Sequence, residues 1–173
     1  SDIAYYESKA GLPSVTLSNV LLDGFSGNPS GFGGEVEVCL DIEMAVSMAP
    51  GLSQVIVYMA GPYGNWHDIL NRMATDNLAQ QLSCSWYSPG APADPVADQI
   101  FQQMAAQGQS FFSASGDYDA YTRLISFPGD TPYLTQVGGT TLTTGMGGAW
   151  ASETVWNWGN GIGSGCGIST VSR

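Results

Sequence analysis

Positive charge is what this 173-residue sequence has least of. It carries 4 Lys+Arg against 15 Asp+Glu, a formal net charge of −11, and Lys9 is its single lysine. Such a surface repels phosphate backbones, which excludes a nucleic-acid partner. His67 is the one histidine, and no Gly-Thr and small-residue helix follows it as a subtilisin histidine motif requires, so it reads as a surface residue. The three cysteines, Cys39, Cys84 and Cys166, leave at least one thiol unpaired within the chain and match no zinc spacing. Cys39 and Cys84 fall in apolar segments and are expected to be small core residues. No apolar run approaches the roughly 20 residues of a membrane helix, so no membrane span is expected. The opening Ser1-Asp2-Ile3-Ala4-Tyr5-Tyr6 has neither the basic flank nor the apolar stretch of a signal peptide, although a processed chain can have lost one.

What is present suits a folded domain. Hydrophobic residues make up 43% and aromatics 11%, enough for one domain with a real core and not for two. Between about pH 3 and 5 many of the carboxylates protonate, so self-repulsion falls and the composition suits work in acid. An ordinary soluble acidic protein has the same balance.

Apolar patterning predicts helices over 3–10, 35–49, 65–80 and 94–107, and strands over 15–22, 54–59, 81–86, 110–114 and 133–137. Residues 138–173, rich in Gly, Thr and Trp, read as hairpins and loops. Strands alternating with helices imply β-α-β crossovers and a mainly parallel sheet. Function in such folds lies at the strand carboxyl ends, here the loops after Leu22, Met59, Trp86 and Ala114. No repeat and no linker divides the chain.

The helix over 35–49 carries four acids. At about 100° per residue, with Glu37 at zero, Asp41 falls near 40°, Met44 near 340° and Met48 near 20°. Glu35 falls near 160° and Glu43 near 240°. Glu37 and Asp41 therefore extend the Met44/Met48 face, expected to be partly buried. Two carboxyls one turn apart on such a face cannot both ionise cheaply, so they share a proton and titrate as a couple. Such a couple accepts a hydroxyl proton at a pH where histidine is already charged. Plain solvated carboxylates have the same spacing.

Here the sequence resembles a known family. Gly34-Glu35-Val36-Glu37-Val38-Cys39-Leu40-Asp41-Ile42-Glu43, followed by Ala49-Pro50-Gly51, is similar to the catalytic helix of the sedolisins, or serine-carboxyl peptidases. Further stretches follow in the family's order: Leu82-Ser83-Cys84-Ser85-Trp86, Ser113-Ala114-Ser115-Gly116-Asp117, Phe127-Pro128 through 132–140, and then 154–157 and 164–169. The resemblance implies a subtilisin-like, doubly wound, mainly parallel sheet flanked by helices, incomplete at both ends, with 1–173 as a single partial catalytic domain. It implies Glu37 as general base toward a serine, Asp41 as its orienting partner, and Asp117 as a protonated donor in the oxyanion hole, a role that makes sense only in acid. Glu35 also follows a glycine but does not stand one turn before Asp41. Ser85 and Trp86 would bind the substrate backbone; the family has glycines where Tyr87 and Ser88 stand, which leaves the shape of the non-prime subsites open. Trp86 could also be a packing residue, and Asp117 an ordinary Gly-Asp turn.

The family's Gly-Thr-Ser-Ala nucleophile segment is not found in these residues, and Ser169 and Ser172 lie in the wrong context. The nucleophile and a Ca2+ site are expected in a C-terminal part of the enzyme outside this chain, with no cofactor within it. The family's first core strand would precede Ile3. The partners implied are a polypeptide substrate and the missing N- and C-terminal segments, and the setting is extracellular or lysosomal. Alone, the chain is expected not to hydrolyse peptides. Two other readings stay open: a non-catalytic peptide-binding relative, and an unrelated small-molecule-binding α/β domain.

Overall fold

The computed structural model describes residues 2–29, 31, 33–88, 94–122 and 124–170. The chain forms two compact units, Ser1–Ala79 and Gln80–Arg173. Their boundary falls among Asn77, Leu78, Ala79 and Gln80, with no Gly- or Pro-rich linker to mark it.

In the first unit, helix α1 (Asp2–Ala10) leads to strand β1 (Thr16–Leu21), helix α2 (Gly34–Met48), strand β2 (Gln54–Met59) and helix α3 (Trp66–Asp76). Strands β1 and β2 pair in parallel from Thr16↔Gln54 to Leu21↔Met59, with α2 as the crossover. α1 ends at Gly11, whose φ of 68° opens a left-handed turn, and the Leu12 N–H then bonds the Glu7 carbonyl at 2.9 Å. The buried Glu7 carboxylate accepts the Val15 N–H at 2.9 Å, tying the helix to the chain entering β1. The core joins Ile3, Val15, Ile42 and Val46, with Val38, Cys39, Val55 and Val57 packed on it. Cys39 is thus a small residue beside the core, and burial pushes its thiol pKa up, helped by the charges of Asp2 and Glu43.

α3 is shorter than its pattern predicted. Asn77 takes a left-handed conformation at φ 44° and closes the helix at Asp76, although Leu78 and Ala79 could continue it. The Asn65 side chain caps its start by accepting the His67 N–H at 2.9 Å. Asp23, also left-handed, accepts the Asn65 N–H at 2.8 Å and so anchors that cap.

In the second unit, β3 (Gln81–Cys84), α4 (Pro95–Ala106) and β4 (Ser110–Ala114) form another parallel crossover, and β6 (Thr135–Val137) extends that sheet on the far side of β4. Asp94 caps α4 by accepting the Val96 and Ala97 N–H groups, and Pro95 takes the first helical position, where its missing N–H costs nothing. Phe101 from α4 meets Phe111 from β4 edge-to-face at 5.0 Å, with Ala97, Met104 and Leu82 buried in the same unit. β3 stops at Cys84 and β6 starts at Thr135, each two residues inside its expected bounds. The Gly/Thr/Trp-rich end forms a hairpin, β7 (Thr140–Thr144) with β8 (Trp150–Val155), and a small sheet in which β10 (Ile162–Cys166) lies between β9 (Asn157–Gly159) and the unanticipated β5 (Tyr118–Ala120).

Candidate active site

Glu37 and Asp41 stand one turn apart on the uninterrupted helix α2, both half-buried. Their surroundings differ from expectation. The face of α2 that enters the core carries Ile42 and Val46, whereas Met44 is 51% and Met48 84% exposed. The line through Glu37, Asp41, Met44 and Met48 is thus the outward side of the helix. Leu40 and Val36, also exposed, flank it, so the two half-buried carboxyls sit in an apolar border. Glu35 is engaged differently: its carboxylate reaches back to the Gly31 N–H at 3.1 Å and closes the glycine-rich loop at the helix start. Both acids near that N-terminus are favoured by the helix dipole.

Asp117 belongs to the second unit and follows the carboxyl end of β4. The turn Ser115-Gly116-Asp117 is gripped from several sides. The Ser115 N–H bonds the Val137 carbonyl at 2.9 Å, and the Gly165 and Gly163 N–H groups reach the Gly116 and Asp117 carbonyls at 2.8 and 2.9 Å. The Tyr121 hydroxyl donates to the Ser115 carbonyl and accepts from the Gln136 amide at 3.0 Å. Burial pushes the Tyr121 phenol pKa up. Close packing requires the glycines: a Cβ on Gly165 would stand 2.0 Å from the Ser115 oxygen, and one on Gly163 would stand 2.2 Å from an Asp119 oxygen.

The Asp117 carboxyl is exposed at the rim of a cleft of about 430 Å³. Tyr87, Tyr118, Tyr121 and Leu124 give that cleft an aromatic and apolar wall. In the sequence Tyr87 stands out only as a departure from glycine; its ring lies 3.2 Å from where a Gly116 Cβ would project. Burial pushes its phenol pKa up, as does the nearby Asp117 charge, while a hydrogen bond from the Asp117 main chain pulls it down. Ser85 is half-buried just past β3, and Trp86 beside it is 46% exposed, too open for a core packing residue. His67 is half-buried at the start of α3, and Ser169 is half-buried beyond β10. Ser172 lies outside the described residues.

Among the described residues, no group of three His, Cys, Asp or Glu side chains is disposed to hold a metal ion, and no helix is long and apolar enough to cross a membrane. The calcium implied by the resemblance finds no cluster of three acidic side chains among the described residues, and no chemical step here is assigned to it.

No family model matches the sequence. Individual relatives do. The chain is 34% identical to sedolisin of Pseudomonas sp. (strain 101), over 90% of its own length and 30% of that protein. It is 31% identical to xanthomonalisin of Xanthomonas sp. (strain T-22), over 91% of the chain and 24% of the relative. To kumamolisin of Bacillus sp. (strain MN-32) it is 30% identical, over 99% and 34%. It thus spans a quarter to a third of these relatives. The solved structure of Pseudomonas sedolisin, a serine-carboxyl proteinase complexed with two molecules of pseudo-iodotyrostatin, matches with a TM-score of 0.80 at 29% identity, over 98% of this chain and 54% of that one. These likenesses leave the reading of an unrelated α/β domain without support. The parallel sheets with their four flanking helices are those of an α/β, subtilisin-like fold, and the chain is a homologue, in sequence and in structure, of the sedolisin family of serine-carboxyl peptidases.

Proposed function

We propose that this chain is part of an acid-active serine-carboxyl endopeptidase. The nucleophilic serine is supplied from outside these 173 residues. Its hydroxyl attacks the scissile carbonyl carbon while the Glu37 carboxylate takes the hydroxyl proton and Asp41 orients Glu37 through a shared hydrogen bond. The oxygen that becomes negative receives a hydrogen bond from a protonated Asp117 carboxyl. Glu37 then returns the proton to the leaving amine, which frees the first product and leaves an acyl-enzyme. Water then attacks the ester carbon while the same glutamate takes its proton, and Glu37 passes that proton to the departing serine oxygen, which releases the second product and restores the enzyme. A carboxylate pair suits this work in acid because it keeps a basic member where imidazole is fully charged. A carboxylic acid as oxyanion donor likewise needs a medium acidic enough to keep its proton.

One observation carries the reading: Glu37 and Asp41 lie one turn apart on the outward side of an unbroken helix, while Glu35 is turned back onto the loop before it. Polypeptides are the substrates, the remaining segments of the same enzyme are the partners, calcium is held by those segments, and the setting is extracellular or lysosomal.

The test uses the complete protein and a chromogenic peptide at about pH 4. Glu37→Gln should lower kcat by about 10²–10⁴, the usual contribution of a general base. Asp117→Ala should cost about 10²–10³, as for an oxyanion donor. Full activity in Glu37→Gln would refute the assignment. The isolated 173-residue chain should release no product.

A further inference from the structure

The turn that presents Asp117 is held on the β10 side by two main-chain hydrogen bonds and at Ser115 by the Tyr121 hydroxyl. On the β3 side the contact is different in kind. Tyr87 follows β3 by three residues, and the neighbouring Ser88 is fixed by its N–H bond to the Phe127 carbonyl at 2.8 Å. From that anchor the Tyr87 ring closes on Gly116, whose φ of 88° and missing side chain make room for it. Any Cβ at Gly116 would meet the ring at 3.2 Å and would also be strained at that φ. Tyr87 and Asp117 line the same cleft, close enough for the Asp117 charge to add to burial in pushing the phenol pKa up. A turn whose exposed carboxyl must meet an oxyanion needs restraint on every side, because a displacement of about 1 Å at a reacting centre can cost 10²-fold in rate.

We propose that Tyr87 is a positioning residue for Asp117, closing the grip on the Ser115-Gly116-Asp117 turn from the β3 side. The role rests on the oxyanion function assigned to Asp117 above. Tyr87 itself moves no proton: its ring limits rocking about Gly116.

A double-mutant cycle in the complete protein tests this, with kcat, KM and the urea midpoint measured for Tyr87→Ala, Asp117→Ala and the pair, and with Tyr87→Phe as the ring-retaining control. Phe keeps the ring on Gly116, whereas Ala leaves that side of the turn open. Tyr87→Phe should keep kcat within about twofold of wild type, whereas Tyr87→Ala should lower it about fivefold with KM within about twofold. In the Asp117→Ala background the same change should have no further effect. A fivefold loss persisting in that background would overturn the proposal while leaving the role of Asp117 intact. So would an effect confined to KM, which would mark Tyr87 as a substrate wall. If Asp117→Ala alone leaves kcat unchanged, the oxyanion assignment falls and the positioning role falls with it.

Discussion

Gly165→Ala joins the fold to the chemistry in one methyl group. The added Cβ would stand 2.0 Å from the Ser115 carbonyl oxygen and 2.8 Å from its carbon, both main-chain atoms that cannot rotate away. Relief requires β10 and the turn after β4 to part by about 1 Å or more, since carbon contacts settle near 3.5–4.0 Å. That parting breaks the 2.8 Å bond from the Gly165 N–H to the Gly116 carbonyl. Overpacking costs about 1–3 kcal/mol and a buried hydrogen bond left unmade about 1–3 more, so the expected loss is about 2–6 kcal/mol. Urea titration of the complete protein reads it: with a slope of about 1–3 kcal/mol/M, a loss near 3 kcal/mol lowers the midpoint by about 1–3 M. Asp117 moves with the turn, so kcat should also fall, by about 10²-fold for a 1 Å shift. Gly51→Ala is the control, because nothing lies within 4 Å of its Cβ position, and it should stay within about 0.5 kcal/mol of wild type. Equal midpoints for Gly165→Ala and Gly51→Ala would refute the close approach of β10 to the turn.

Glu7→Ala should destabilise by about 1–3 kcal/mol, because it strands the Val15 N–H, whereas Glu7→Gln keeps an acceptor and should lose less in the same urea titration. Phe101→Ala, which removes a fully buried ring from the α4/β4 contact, should cost about 3–5 kcal/mol. The Tyr58 phenol is pushed up to about 12 by burial first, then by its hydrogen bond to Asp76 and the charge of that carboxylate, with Arg72 opposing. An unfolded tyrosine loses its proton near pH 10, so the folded state holds more protons between about pH 10 and 12. Stability from this group is therefore complete below pH 10 and lost as pH rises toward 12, and Tyr58→Phe should flatten that alkaline decline in thermal melts. Asp117→Asn keeps a donor that needs no added proton, so the high-pH limb of kcat should extend upward, whereas Asp117→Ala should lower kcat without that extension.

Local chemistry made much of the fold legible. Gln54–Met59 and Ser110–Ala114 are strands over the residues their apolar runs indicated, and Asp94-Pro95 and Gly108 bracket α4 as cap and stop. Legibility ended where tertiary contact decides. Asn77 had a choice between continuing α3 and turning left-handed, and nothing in its neighbours states which. β5 is a three-residue strand that exists because β10 lies beside it. On α2 the periodicity gave the relative angles of the acids. It could not say which of two apolar lines, Met44/Met48 or Ile42/Val46, enters the core, since transfer energetics favour burying either. Tyr87 was visible as an unusual residue, but its seat on Gly116 joins positions that only folding brings together.

The outward placement of Glu37 and Asp41 separates two kinds of inheritance on one helix. On the mechanism proposed above, replacements along Ile42 and Val46 are screened by whether the chain folds, and replacements at the two acids by whether it reacts. A descendant that exchanged Glu37 for an amide would therefore be synthesised and folded like its parent, and would still display its cleft. Silent copies of this scaffold can arise in a single step and persist, so a shared architecture among such chains is a poor guide to which of them cut.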